Sequence, residues 1–469
     1  MSQSEIGLIG LGTMGAMLAL NIAEKGFPIS VWNRTTEVTH RFVAEAAKLA
    51  PRITPTETLE ALVASLKSPR AIILMVPAGQ PVDDQIAALR PLLDPEDLIV
   101  DAGNANFHDT NRRAAAADGY RFLGIGVSGG EEGARHGPAI MGGGQTEDWA
   151  RVAPILNAIA AKYEGQPCAG WMGQAGAGHF VKTVHNGIEY ADMQMIAEVY
   201  GVMRDGMAMD ASAISEIFAK WNKGPLQSYL IEISAAVAGV TDEKTGQPIL
   251  DVILDRAGQK GTGRWTVIEA QHLAAPIPVI DSAVTARNTS ARLAERQAGQ
   301  AVFGAAPQAL QDGALTLADL EQAMIAGKIL CYAQGFALIA SASAEFGWSL
   351  PLPEIARVWR AGCIIRSSML NDMSRALTED PARNLMLAPF FAEKLQNGQQ
   401  ALRKVVAAGA MNGLPVPALA SGLAWFDMMR TERSTANMIQ GQRDFFGAHG
   451  FERTDGGAGH HGPWAMRPG

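Results

Sequence analysis

The chain has 469 residues, 48% hydrophobic and 18% charged, with a formal net charge of −8, enough for two or three domains with ample core. The acidic balance speaks against nucleic acid as a partner, although a local basic pocket can still take an anionic small molecule. No apolar run approaches the about 20 residues that span a bilayer, the start Met1-Ser2-Gln3-Ser4-Glu5 is not a signal peptide, and Cys168, Cys331 and Cys363 match no metal-ligand spacing, as expected of reduced thiols in a cytoplasmic protein.

Ile6-Gly7-Leu8-Ile9 reads as a short strand, followed by Gly10-Leu11-Gly12-Thr13-Met14-Gly15. Met14 to Lys25 reads as a helix stopped by Gly26, and Pro28 to Trp32 as the second strand. In that context G-x-G-x-x-G is a dinucleotide-binding fingerprint. Its glycines permit a tight turn and close approach to a pyrophosphate at the helix N-terminus. The segment that reads the ribose is Asn33-Arg34-Thr35. An acidic residue there would bind a 2′-hydroxyl, whereas a guanidinium beside a hydroxyl suits a 2′-phosphate, so NADP is expected over NAD. Strands expected at Ala71–Val76, Leu98–Asp101 and Phe122–Val127, with helices between, indicate a doubly wound parallel sheet. Ligands of such sheets sit beyond the carboxyl ends of the strands. The loops there are Asp101-Ala102-Gly103-Asn104 and Val127-Ser128-Gly129-Gly130-Glu131-Glu132-Gly133. The second offers a hydroxyl and unhindered N–H groups for a carboxylate or hydroxyls. By itself either loop reads better as a Gly-rich turn.

After Gly178 helical periods dominate. In K-T-V-H-N-G-I-E-Y, Lys182, His185, Asn186, Glu189 and Tyr190 fall within an arc of roughly 140° on a helix. Phe180, Val181, Val184, Ile188 and Ile196 supply apolar faces, so this polar stripe must face water or a cleft. Glu216-Ile217-x-x-x-Trp221-x-x-Gly224 recurs as Glu354-Ile355-x-x-x-Trp359-x-x-Gly362, which suggests a duplicated helical unit. From about Asn437 the chain is Gly-rich and reaches His460-His461-Gly462-Pro463-Trp464, a tail expected to lie across another surface, such as a partner subunit.

These segments, with Val127–Arg135, Gly178–Gln194, Gly258-Gln259-Lys260-Gly261-Thr262-Gly263 and Gln442–His449, resemble the decarboxylating, NADP-dependent 6-phosphogluconate dehydrogenase family over essentially the whole chain. The resemblance implies a Rossmann-like NADP-binding domain at 1–177, an all-helical, internally duplicated substrate and dimerisation domain at 178–434, and a tail at 435–469 exchanged into the neighbouring active site of a cytoplasmic homodimer. The implied reaction is oxidative decarboxylation of 6-phosphogluconate to ribulose 5-phosphate and carbon dioxide, a step of the pentose phosphate pathway. Lys182 would be the general base and Glu189 the general acid. Asn104, Ser128, Gly129, Gly130, His185 and Asn186 would hold the carboxylate and hydroxyl end. Tyr190, Lys260 and Arg287, with Arg443 and His449 of the neighbouring tail, would hold the phosphate. Cofactor contacts would come from Gly10, Leu11, Gly12, Thr13, Met14, Gly15, Asn33, Arg34, Thr35, Val76 and Asn104, with no metal and no membrane or nucleic-acid partner. Pro77 stands where the family often has lysine, and Ala102, Ala105 and Phe107 where it more often has Gly, Ser and Tyr. None of these touches the Lys182/Glu189 pair. Two rival readings are a non-decarboxylating β-hydroxyacid dehydrogenase, which has no use for the phosphate-end cations, and a silent NADP-binding scaffold.

Overall fold

The computed structural model describes residues 3–464. Strands β1 (Ile6–Ile9), β2 (Ile29–Trp32), β3 (Ile53–Pro55), β4 (Ala71–Leu74), β5 (Leu98–Asp101), β6 (Arg121–Ser128), β7 (Ala139–Gly143) and β8 (Ala169–Gly173) form one sheet in the order β8-β7-β6-β5-β4-β1-β2-β3. All neighbours run parallel except β6 and β7. Alternate residues feed two separate cores: Leu8, Ile73, Val100 and Leu123 on one face, Ile9, Ile72, Leu74 and Ile99 on the other. Both faces are covered, so the central strands read as continuous apolar runs. Helix α1 (Thr13–Glu24) starts one residue before the expected Met14, and Gly26 takes φ +100 beyond its end. Strand β4 stops at Leu74, short of the expected Val76. The chain turns away at Met75–Pro77, and a proline has no N–H to continue a ladder.

Two helices lie at the carboxyl edge of this sheet: α2 (Phe107–Ala115) after β5 and α3 (Gly130–His136) after β6. The helical layer begins with α4 (Ala177–Gly201), continued by α5 (Ala211–Trp221) and α6 (Tyr229–Ala238). After α7 (Thr262–His272) and α8 (Pro278–Ser290) comes a second set, α9 (Leu317–Glu345), α10 (Leu352–Val358) and α11 (Met369–Glu379). The sets α4-α5-α6 and α9-α10-α11 meet reciprocally: Tyr229 N donates to Arg366 O at 3.1 Å, and Ser368 N donates to Gln227 O at 3.1 Å. Each segment lies just before the third helix of its set, as the repeated Trp-x-x-Gly pattern leads one to expect. Helix α9 corrects one reading of the sequence: by length and composition it could cross a membrane. It is instead a core helix, mostly buried and packed against α4 and α12 (Pro389–Met411). A second compact unit begins at Leu423 and contains α13 (Ala436–Gly447).

Helix α4 is seated on β6 and β7 through glycines from both sides. A Cβ on Gly178 would come within 2.5 Å of Met141 O, and one on Gly143 within 2.5 Å of Gly178 N. A Cβ on Gly126 would collide with the Cβ and Cγ of Lys182, and one on Gly124 with the rings and methyls of His179 and Thr110. The helix therefore approaches the strands as closely as backbone allows, and that approach carries Lys182 to the carboxyl end of β6. Gly126→Ala should cost about 1–3 kcal/mol by overpacking and displace Lys182. The expected result is a lowered Tm together with reduced turnover, and unchanged stability would contradict this seating.

Candidate active site

The glycine loop between β1 and α1 is shaped for phosphate. Gly10 has φ +99, a Cβ on Gly15 would strike Gly10 O, and Gly12 opens on empty space. Thr13 and Met14 begin the helix whose free N–H groups face that space. Asn33 braces the loop: its Oδ1 accepts from Leu11 N at 3.1 Å and its Nδ2 donates to Thr35 O at 3.3 Å. The side chain thus shapes the cradle from behind. Arg34 and Thr35 stand exposed at the end of β2, and Thr35 caps the next helix without using its hydroxyl. Across the sheet, Asp101 Oδ1 accepts from Gly103 N at 3.1 Å, pinning the loop that presents exposed Asn104. A Cβ on Gly103 would come within 3.0 Å of Val76 O, so the Val76 and Asn104 loops lie side by side.

The stripe on α4 is enclosed. Lys182 is 6%, His185 0% and Asn186 8% exposed, and Glu189 is partly exposed. Ser128 Oγ lies 3.2 Å from His185 Nε2, and His185 Nδ1 lies 3.0 Å from Asn186 Oδ1. Asn186 Oδ1 also accepts from Lys182 Nζ at 2.7 Å, while its Nδ2 donates to Thr262 Oγ1 at 3.0 Å. The amide oxygen can only accept, so His185 carries its proton on Nδ1 and takes the Ser128 hydroxyl on Nε2. Burial holds this imidazole well below its usual pKa, helped by Lys182, and so keeps it neutral. Burial likewise lowers the Lys182 amine, against the pull of Glu189. It raises the Glu189 carboxyl, against the pulls of Lys182 and Arg287. An amine shifted toward its neutral form and a carboxyl shifted toward its protonated form stand two helical turns apart, an arrangement that suits a base and an acid.

Gly129 (φ +117) and Gly130 (φ +62) turn the chain from β6 into α3 beside Ser128. At the far end of the stripe, Arg287 on α8 lies over the Tyr190 ring, 3.5 Å from its centroid, and donates to Gly258 O at 3.1 Å. Gln259 donates to Asn288 at 2.7 Å, so the loop bearing exposed Lys260 is fastened to α8. Tyr190, Arg287 and the Lys260 loop are thus brought together. Arg443 and His449 belong to the unit that begins at Leu423, where both are exposed. Sequence reasoning missed Thr262, which orients Asn186, although its glycine-rich segment had been singled out. It also missed Trp359, whose ring meets His185 edge-on at 5.6 Å between centroids. Gly362 was missed too: a Cβ on Gly129 would come within 2.6 Å of its carbonyl oxygen. The repeated E-I-x-x-x-W-x-x-G carried both signals, because it is the second copy that abuts the site.

Two family models cover the chain: the NAD binding domain of 6-phosphogluconate dehydrogenase matches residues 5–173, and the 6-phosphogluconate dehydrogenase C-terminal domain matches residues 178–464. A decarboxylating 6-phosphogluconate dehydrogenase of Synechococcus elongatus is 47% identical, covering 99% of this chain and 100% of its own. Bacillus subtilis has two similar relatives, each 46% identical. Its NADP(+)-dependent decarboxylating enzyme covers 99% of this chain and 100% of its own, and its NAD(+)-dependent one 98% and 99%. Among solved structures, a Plasmodium falciparum 6-phosphogluconate dehydrogenase, described in apo form and with NADP+ or 6-phosphogluconate, superposes with TM-score 0.94. It shares 39% identity over 98% of this chain and 100% of its own.

The match runs through residue 464, into the unit beyond Leu423. There Asp444, buried on α13, gathers the Gly- and His-rich run around one carboxylate. Its Oδ1 accepts from Gly450 N at 3.0 Å and His461 Nδ1 at 2.7 Å, its Oδ2 from Gly462 N at 2.8 Å and Trp464 Nε1 at 3.0 Å. These donors, Gly462 first, hold the carboxyl down at about 2. A depressed carboxyl stabilises the fold above its unfolded pKa and loses that effect as pH falls through the folded one. The clasp should therefore stay shut from neutral pH to about 4 and open toward about 2. Asp444→Ala should open it at pH 7, seen as faster amide exchange and proteolysis between 448 and 464. Protection equal to the parent's would contradict the clasp.

Proposed function

Since the chain belongs to the 6-phosphogluconate dehydrogenase family, we propose that Lys182 and Glu189 carry the proton transfers of the decarboxylating reaction. The protein is an NADP-dependent oxidoreductase that converts 6-phosphogluconate to ribulose 5-phosphate and carbon dioxide. The carrying observation is the amine of Lys182, enclosed on α4 with its pKa lowered by burial, next to Asn186 and His185.

Neutral Lys182 removes the proton of the C3 hydroxyl. NADP, when bound, accepts the hydride from C3. The 3-keto acid carries its carboxylate β to the new carbonyl, so loss of carbon dioxide leaves an enediolate. Lys182, now an ammonium, stabilises the developing oxyanion. Glu189, whose carboxyl burial pushes toward its protonated form, delivers a proton to C1. The neutral His185, Asn186 and the Ser128–Gly130 turn, with Asn104, suit the carboxylate and hydroxyl end. Tyr190, Arg287 and Lys260 suit the phosphate. The NADP contacts are assigned to the Gly10–Gly15 loop, Asn33, Arg34, Thr35, Val76 and Asn104. Arg34 is assigned to the 2′-phosphate, because its exposed side chain stands at the end of β2 and a guanidinium makes charge-assisted bonds to phosphate oxygens.

The working division is residues 1–177 for NADP, 178–434 for substrate, and 435–469 as a tail. A cytoplasmic homodimer in which Arg443 and His449 of each tail reach the other subunit's phosphate site completes the proposal. It is supported by α13, which leaves Met438, Ile439, Phe445 and Phe446 exposed, an apolar face fit for a partner subunit.

Lys182→Met keeps the volume and removes the base, and should lower NADPH formation with 6-phosphogluconate by about 10²- to 10⁴-fold while substrate binding remains measurable. In the parent, kcat/KM should fall as pH drops through the lowered Lys182 pKa and as it rises through the raised Glu189 pKa. Near-normal turnover in the variant would overturn the assignment. Arg34→Asp should raise the NADP KM about 10-fold or more and shift preference toward NAD. An unchanged ratio would mean that another residue reads the 2′-phosphate.

A further inference from the structure

Glu269-Ala270-Gln271-His272 ends α7 with a carboxylate and an imidazole three residues apart, on one side of the helix. Glu-x-x-His at this spacing projects two metal ligands together in helical carboxylate sites. His272 Nδ1 lies 3.4 Å from Glu269 Oε2. A third donor comes from the sheet layer: His108 Nε2, on α2, lies 2.9 Å from the same oxygen. The pattern was invisible in sequence, because 161 residues separate His108 from Glu269. Among the described residues these three are the His/Cys/Asp/Glu group whose ligand atoms all fall within 4.8 Å of one another.

Glu269 is only 4% exposed, and its hydrogen-bonding partners are these two imidazoles. A buried carboxylate oxygen between two imidazole nitrogens is the oxygen-and-nitrogen donor set that a zinc-type divalent cation takes. In a tetrahedral zinc site, metal–donor bonds of about 2.0–2.2 Å put donors about 3.3–3.6 Å apart. The His272 separation from Oε2, 3.4 Å, falls in that range, and the His108 separation, 2.9 Å, is shorter. Both rings are exposed, so small side-chain rotations can complete the geometry, with water in the open position.

We propose that His108, Glu269 and His272 form a zinc-type divalent metal site that clips the sheet layer to the helical layer. The ligands sit on elements already tied to the active site. Helix α7 opens at Thr262, which holds Asn186, and its Thr266 Oγ1 donates to Thr183 O on α4 at 2.8 Å. Helix α2 follows the Asn104 loop directly, capped by Asn106. A bound ion would couple these two walls of the cleft, acting as a brace outside the reacting atoms. The site stands apart from the catalytic assignments and fails or survives separately from them.

The test is titration of the metal-free full chain with Zn2+ alone in competition with a chromophoric chelator, beside Co2+ absorption and thermal melting. One tight equivalent per chain, visible bands of tetrahedral Co2+, and a Tm raised by Zn2+ are expected. His108→Ala and His272→Ala should each weaken Zn2+ binding about 10-fold or more and abolish the Tm shift, while leaving metal-free dehydrogenase activity at the parent level. Equal affinity in either variant would place the ion elsewhere, with the tail's His449, His460 and His461 as the next candidates, and overturn the proposal. Absence of zinc binding up to about 1 mM would do the same.

Discussion

The close seating of α4 on β6 and β7 is the constraint from which the rest of the molecule follows. Gly124, Gly126, Gly143 and Gly178 remove every Cβ that would hold the helix off the strands. With the gap closed, Lys182 loses most of its water and leans on the end of β6, where Ser128 and the Gly129–Gly130 turn emerge. One steric fact thus sets both the position of the amine and its desolvation. A helix standing further out would leave the lysine better solvated, with less of the desolvation that lowers its pKa.

The same enclosure acts oppositely on opposite charges. Burial penalises the ammonium of Lys182 and the carboxylate of Glu189 alike, so their pKa values move toward each other. Mutual attraction resists this in both groups and is the smaller effect in each. His185 is neutralised by the same environment, and the hydrogen bonds through Asn186 and Thr262 then fix its tautomer. The polar stripe is expensive to bury, and the network satisfies Lys182, His185 and Asn186 within it.

Much of the site was legible because it is local. The glycine fingerprint, Arg34 at the end of the second strand, and the Lys182–Tyr190 stripe each depend on spacing along a single element. Thr262, Trp359 and Gly362 were not legible as site residues, because each acts through a neighbour far away in the chain: Asn186, His185 and Gly129 respectively. Asn33 illustrates the intermediate case. Its position at the cofactor loop was readable, but its role in bracing Leu11 depends on which way the amide points. Helix α9 is long and apolar enough to cross a membrane by length and composition, which the sequence reading overlooked, and its burial among other helices makes it a core helix.

By itself the sequence determined the doubly wound sheet, the helical layer with its repeated unit, the NADP fingerprint, and the two residues whose chemistry suits proton transfer, because periodicity, glycine placement and side-chain type are properties of contiguous residues. Tertiary structure decided how deeply Lys182 is buried, which partners neutralise His185, how Asp444 folds the glycine-rich end around itself, and that His108 meets Glu269 and His272. Desolvation and hydrogen bonding depend on what lies on the other side of a group, and only the folded chain brings those other sides together.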